Sequence, residues 1–140
     1  MIIQTVTRWR RGAAILGLSL LLAACATPVP RADDVSVRAQ ERWALLLADD
    51  YAGAYEYLSP GFRSSVSSIQ YQRKLLLQKI RWTDARYIDS ECLETSCKVR
   101  ISLDFVLLQA VPGVKRYDAT QTIVEDWVKA DGQWWFVPKK

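Results

Sequence analysis

Apolar positions along this chain follow two periods, helical up to about residue 81 and strand-like beyond it. In the first stretch Val35, Ala39, Trp43, Leu46 and Leu47 recur at steps of 4, 4, 3 and 1. That spacing predicts one buried helical stripe, with Arg38, Glu41 and Arg42 off it and Asp33 or Asp34 as the cap. Residues 51–58 predict a second short helix. Ser59-Pro60-Gly61 is expected to stop it, because Pro lacks a backbone donor and Gly tolerates a left-handed exit. Ser67 and Gln70 stand at capping-box spacing and predict a third helix. It is expected to turn Ile69, Leu76 and Ile80 inward and Arg73, Lys74 and Lys79 outward.

From Trp82 onward the period is two. Val99, Ile101, Leu103 and Phe105 share one face of a strand, and Arg100, Ser102 and Asp104 share the other. Pro112-Gly113 signals a turn, and residues 117–129 are rich in β-formers. Asp131-Gly132 is a hairpin signal, and Gln133-Trp134-Trp135-Phe136-Val137 reads as the closing strand. Three helices before a four-stranded antiparallel sheet predict a single α+β domain over residues 34–140, with the helices packed on one face of the sheet.

Two segments of this pattern resemble a known group. Asp49-Asp50-Tyr51-Ala52-Gly53-Ala54-Tyr55-Glu56-Tyr57-Leu58-Ser59-Pro60 and Asp131-Gly132-Gln133-Trp134-Trp135-Phe136-Val137 look like motifs of the nuclear-transport-factor-2-like (cystatin-like) superfamily. The resemblance spans about residues 35–138 and implies a cone-shaped roll. It leaves activity open, since that roll hosts isomerases, dehydratases and plain binding domains.

The amino-terminal residues do not belong to this pattern. Arg8, Arg10 and Arg11 precede an uncharged run of 12 residues, Ala13 to Ala24, with no acidic residue before Asp33. A spanning helix wants about 20 apolar residues, so the run reads as the core of a secretory signal peptide. Arg10-Arg11 lacks the follow-on of a twin-arginine signal. Leu22-Ala23-Ala24-Cys25 resembles the lipobox of bacterial lipoproteins. That resemblance implies acylation of Cys25, cleavage after Ala24 and a lipid anchor in the membrane. Residues 25–33, with Pro28 and Pro30, read as lipidated Cys and tether. Ala26 stands where an Asp signals inner-membrane retention in enterobacterial lipoproteins, so the resemblance implies the periplasmic face of the outer membrane.

Charge changes meaning once that segment is set aside. The 140 residues carry 19 Lys and Arg, 15 Asp and Glu and no His, for a net charge of +4. Without residues 1–24 three cations go, leaving 16 against 15. No basic cluster of the kind nucleic acid needs remains, so no nucleic-acid partner is expected. The absent histidine excludes Ser-His-Asp and Cys-His catalysis and leaves zinc short of ligands. No metal and no cofactor is expected.

Cys92 and Cys97 are then left in an oxidising context, and a disulfide at a hairpin end is the expected reading. The ring is small and stabilises by about 2 kcal/mol in the chain-entropy model. Catalysis of the isomerase kind needs a carboxylate base beside a Tyr–acid oxyanion hole. Asp104 falls on the face away from the helices with Arg100, and the facing of Asp118 is ambiguous, so no catalytic residue is expected. Tyr51, Tyr55 and Trp43 are candidate pocket-lining residues. Trp134 and Trp135 point to opposite faces, which makes Trp135 with Val137 a candidate interaction surface for an envelope protein or a second copy. The expected function is a non-catalytic, membrane-anchored envelope binding or assembly module. The alternative is a small-ligand pocket protein or vestigial enzyme, marked by a cavity of about 300 Å³ or more with convergent polar groups.

Overall fold

The computed structural model describes residues 34–111 and 113–139. The expected signal peptide, Cys25, the expected tether and Pro112 of the expected turn therefore lie outside the described residues. Among the described residues four helices precede four strands: α1 Val35–Leu47, α2 Tyr51–Tyr55, α3 Pro60–Arg63, α4 Ser68–Leu76, β1 Ile80–Cys92, β2 Ser96–Val111, β3 Val114–Ala130 and β4 Gln133–Val137. The strands form one open antiparallel sheet in the order β1-β2-β3-β4, making the domain α+β. None of the described helices is long and apolar enough to cross a membrane.

Helix α1 starts where Asp34 accepts a hydrogen bond from the Ser36 amide at 2.8 Å. Val35, Ala39, Trp43 and Leu46 are buried against the sheet, as their spacing predicts. Arg42 departs from that expectation. It is buried beside the stripe, because β3 carries an acid directly beneath it. At the end of α1 the chain reverses through Asp49, whose φ of 60° is a left-handed value that Asp tolerates. Asp50 then caps α2 by accepting from the Gly53 amide at 2.8 Å.

The second helix ends at Tyr55, short of the expected Leu58. Ser59-Pro60-Gly61 opens a helix rather than merely stopping one. Ser59 is the N-cap of α3 and Pro60 sits in its first turn, where a missing N–H costs nothing. Residues 57–59 instead run beside β4. The Phe136 amide donates to the Tyr57 carbonyl and the Ser59 amide to the Phe136 carbonyl, both at 2.8 Å. This bridge covers an otherwise bare edge of the sheet.

The Ser67–Gln70 capping box forms and starts α4 as expected. Its facing does not follow the expectation. Ile69 and Leu76 are 77% and 69% exposed, and Ile80 belongs to β1 and is exposed as well. Tyr71 is buried and Leu75 partly so, packed among Tyr55, Leu58 and Phe62. Successive helical residues are rotated by about 100°, so a helix held through Tyr71 and Leu75 must turn Leu76 outward. Tyr55 and Tyr71 rings lie 5.8 Å apart, and the Tyr55 hydroxyl donates to the Val66 carbonyl at 2.7 Å.

In the sheet the period-two reading holds. Val99, Ile101 and Leu103 are buried and Phe105 packs against them. Arg100, Ser102 and Asp104 lie on the opposite, more solvated face. Asp131 and Gly132 have φ of 53° and 75°, the double left-handed signature of a type I′ hairpin between β3 and β4. Cys92 and Cys97 face each other in register across β1 and β2, Cα atoms 4.1 Å apart and sulfurs at disulfide distance. Cys97 is buried and Cys92 exposed.

Candidate functional site: a cleft between helices and sheet

Strand β3 puts Ile123, Glu125 and Trp127 on its helix-facing side by simple alternation. Two of these are ordinary core residues. The third is a carboxylate that is 3% exposed, and such a group must be paired or it would not stay charged there. Glu125 Oε1 accepts from Arg42 Nη1 at 2.8 Å and from Trp43 Nε1 at 2.9 Å. Its Oε2 accepts from Trp127 Nε1 at 3.0 Å. Three donors from α1 and β3 thus converge on one acid. The Arg42 guanidinium also lies over the Phe136 ring, 3.8 Å from its centroid, which ties β4 to the same cluster.

Above this cluster the helices and sheet do not close. A cleft of about 660 Å³ remains between them. Its walls are largely apolar, with Trp43, Phe62, Leu75, Trp82, Leu103 and Ile123 among them. Trp43 and Trp82 meet edge-to-face at 5.4 Å and form one wall. Arg42 and Glu125 lie in its lining, and exposed Lys74, Gln78 and Lys139 stand at the rim.

One wall residue carries an unspent polar group. Tyr71 is 6% exposed, and its hydroxyl has no hydrogen-bond partner among the described residues. Buried donors without partners are rare in folded proteins, and each calls for an explanation. Arg42 Nε is in the same state. The cleft is therefore a largely apolar body with the paired Arg42 and Glu125 in its lining, and the unpartnered Tyr71 hydroxyl and Arg42 Nε lie behind that wall, out of reach of solvent.

The residues singled out from the sequence are distributed as follows. Trp43 lines the cleft. Tyr51 does not; it borders a smaller depression of about 260 Å³ and donates to Asp49 Oδ1 at 2.7 Å. That bond and partial burial push the Tyr51 phenol upward. Tyr55 is spent on packing and on the Val66 carbonyl. Val137 is half-buried at the cleft wall. Trp135 is half-buried too, its indole donating to the Ala130 carbonyl at 3.2 Å. The guanidinium groups of Arg38 and Arg63 lie over that ring at 5.3 and 5.2 Å.

On the opposite face of the sheet the acids pair with arginines, and Arg86 is shared between Asp84 and Asp104. Asp104 Oδ2 accepts from Arg86 at 2.9 Å, and Asp104 Oδ1 from Thr120 at 2.6 Å. Those bonds hold its carboxyl below the usual range. Arg100 pairs with Asp89 across the strands rather than with Asp104, and Arg116 with Asp118. Glu125 and Tyr71 escaped the sequence reading. For Glu125 a signal existed, since it stands in phase with Ile123 and Trp127.

Comparison with known proteins bears on the fold. No family model matches the chain, and no curated protein matches it. A SEC-C motif containing protein from Rhodopseudomonas palustris superposes with a TM-score of 0.60 at 15% identity, over 78% of this chain and 79% of that one. A SEC-C motif containing protein from Psychrobacter arcticus superposes at 0.57 and 12% identity, over 78% of this chain and 61% of its own length. A Campylobacter jejuni protein described as an NTF2-like transpeptidase aligns at 0.48 and 15% identity, over 72% and 94% of the two chains. At such identities the likeness is one of fold.

Proposed function

We propose that this chain is a membrane-anchored envelope lipoprotein whose folded domain is a non-catalytic binding module, and that the cleft between helices and sheet is its binding site for a small, largely apolar ligand. The observation that carries the reading is the cleft itself. Its volume of about 660 Å³ is that of a small-molecule site, and buried polar groups stand in its lining. A largely apolar open space of that size supports a ligand site over assembly alone. The state of Glu125 supports binding rather than turnover. Its two oxygens already accept from one guanidinium and two indoles, an arrangement that fixes the carboxylate as a charged strut.

The anchoring half of the proposal rests on the resemblance of Leu22-Ala23-Ala24-Cys25 to a lipobox. Two or three acyl chains on Cys25 would hold the domain stably at the periplasmic face of the outer membrane, where one chain would not. In that compartment Cys92 and Cys97 would be oxidised to a disulfide. The roll is read as a cone of the nuclear-transport-factor-2-like kind, with the cleft in its mouth.

The test is mass spectrometry of intact protein released from its own envelope in mild detergent. The reading expects an amino terminus starting at acylated Cys25. It also expects a non-covalent small-molecule adduct that disappears when Ile123→Phe and Val137→Phe together fill the cleft. An uncut, unmodified terminus in cytosolic material would remove the anchor. An adduct-free protein that elutes as a stoichiometric complex with another envelope protein, or as a homodimer, would replace the ligand site with an assembly role.

A further inference from the structure

At the end of the sheet where β1 begins, four large aliphatic side chains stand in solvent. Leu76 and Leu77 close α4 and are 69% and 73% exposed. Ile80 opens β1, and Leu108 reaches the same place from β2, its amide donating to the Lys79 carbonyl at 3.2 Å. Leu76, Ile80 and Leu108 line one shallow depression, so the group is contiguous. Leaving such side chains in water forgoes the gain of burial, and contiguous apolar patches mark sites of contact.

Charge says what the contact is with. Between Glu56 and Asp84 the chain contains no acidic residue, while Arg63, Arg73, Lys74, Lys79 and Arg81 are cationic. Arg63 pairs with Glu56. Arg73, Lys74, Lys79 and Arg81 make no ion pair among the described residues. Asp49 is the single acid bordering the depression, and its Oδ1 accepts from Tyr51. Exposed leucines and an isoleucine interleaved with unpaired cations complement a surface with phosphates above and acyl chains below. Long cationic side chains keep their charge at the headgroups while neighbouring apolar groups enter the boundary.

We infer that the α4–β1 edge, Leu76, Leu77 and Ile80 with Leu108, docks the folded domain onto an anionic lipid surface through Lys74, Lys79 and Arg81. This contact adjoins the cleft and does not depend on acylation of Cys25. It fixes the orientation of the domain. Leu75, Gln78 and Trp82 line both the depression at this edge and the cleft, so docking would bring the mouth of the cleft to the bilayer.

The test uses the full-length chain with Cys25→Ser and one further substitution, Leu77→Cys, carrying a polarity-sensitive dye. Cys92 and Cys97 are kept oxidised. A second sample carries the dye at Leu93→Cys, at the opposite end of β1. On vesicles containing phosphatidylglycerol the dye at position 77 should shift to the blue and that at 93 should not. The shift should be lost on phosphatidylcholine alone, in Lys79→Glu/Arg81→Glu, and at about 1 M salt, where the screening length falls to ~3 Å. No shift at 77 on vesicle-bound protein, or an equal shift at 93, would overturn the inference. So would a shift at 77 that needs no vesicles and grows with protein concentration, which would assign the edge to self-association.

Discussion

Arg42 of α1 and Glu125 of β3 are joined by a 2.8 Å ion pair, with both side chains almost wholly buried and two indole N–H groups on the same carboxylate. Breaking a buried pair by deleting one partner leaves the other charge uncompensated, at a cost of about 3–5 kcal/mol. Arg42→Met should therefore lower unfolding free energy by about 3 kcal/mol or more. Adding Glu125→Gln should recover part of that loss, because the amide oxygen still accepts from an indole and no lone charge remains. Urea denaturation of the single and double variants checks this. Additive losses would mean that the pair is not coupled.

Tyr71 gives the opposite sign. Its hydroxyl is buried without a partner among the described residues, so Tyr71→Phe removes a desolvated group and almost no volume. Ligand-free stability should stay level or rise by up to about 1 kcal/mol. A loss of 2 kcal/mol or more in urea denaturation would show that the hydroxyl is already bonded in solution.

Gly53 is required by the cap of α2. A Cβ there would lie 2.6 Å from Asp50 Oδ2, while the Gly53 amide holds Asp50 Oδ1 at 2.8 Å. Gly53→Ala must push the carboxylate off its cap, and about 1 kcal/mol of stability should go with it. Asp50→Ala loses the same cap by another route, so the double variant should cost little more than either single one in thermal melts.

Acid should weaken the sheet's polar face. Asp89, Asp104 and Asp118 are held below the ordinary value of 3.8, chiefly by hydrogen bonds from Arg100, Arg86 and Arg116. A carboxyl depressed in the folded state binds its proton more readily when unfolded. Its contribution is present above the ordinary value and is lost as pH falls through the folded one. The melting temperature should drop between about pH 5 and pH 2, and Arg100→Gln should flatten that fall. Equal slopes for the two proteins would show that the Asp89–Arg100 pair carries none of it.

Strands and caps were the legible parts of the sequence, because they are local. Val99, Ile101 and Leu103 alternate, Asp131-Gly132 supplies two left-handed residues, and Ser67 with Gln70 caps its own helix. The facing of α4 was not legible. Its most apolar residues, Ile69, Leu76 and Leu77, point to water, and its anchor is Tyr71, a residue whose burial depends on Tyr55 and Leu58 from another helix. Arg42 was misread for a similar reason: only β3 supplies the acid that draws it inward. The cleft depends on the spacing of helices over the sheet, which no period encodes.

Tryptophan quenching reads directly whether the cleft takes a small apolar ligand. Trp43 and Trp82 form one wall of the cleft, so a brominated long-chain alcohol bound there must quench their emission. Quenching should saturate at one equivalent and be much reduced in Ile123→Phe/Val137→Phe. Quenching that never saturates, or that is unchanged when the cleft is filled, would contradict a ligand site there.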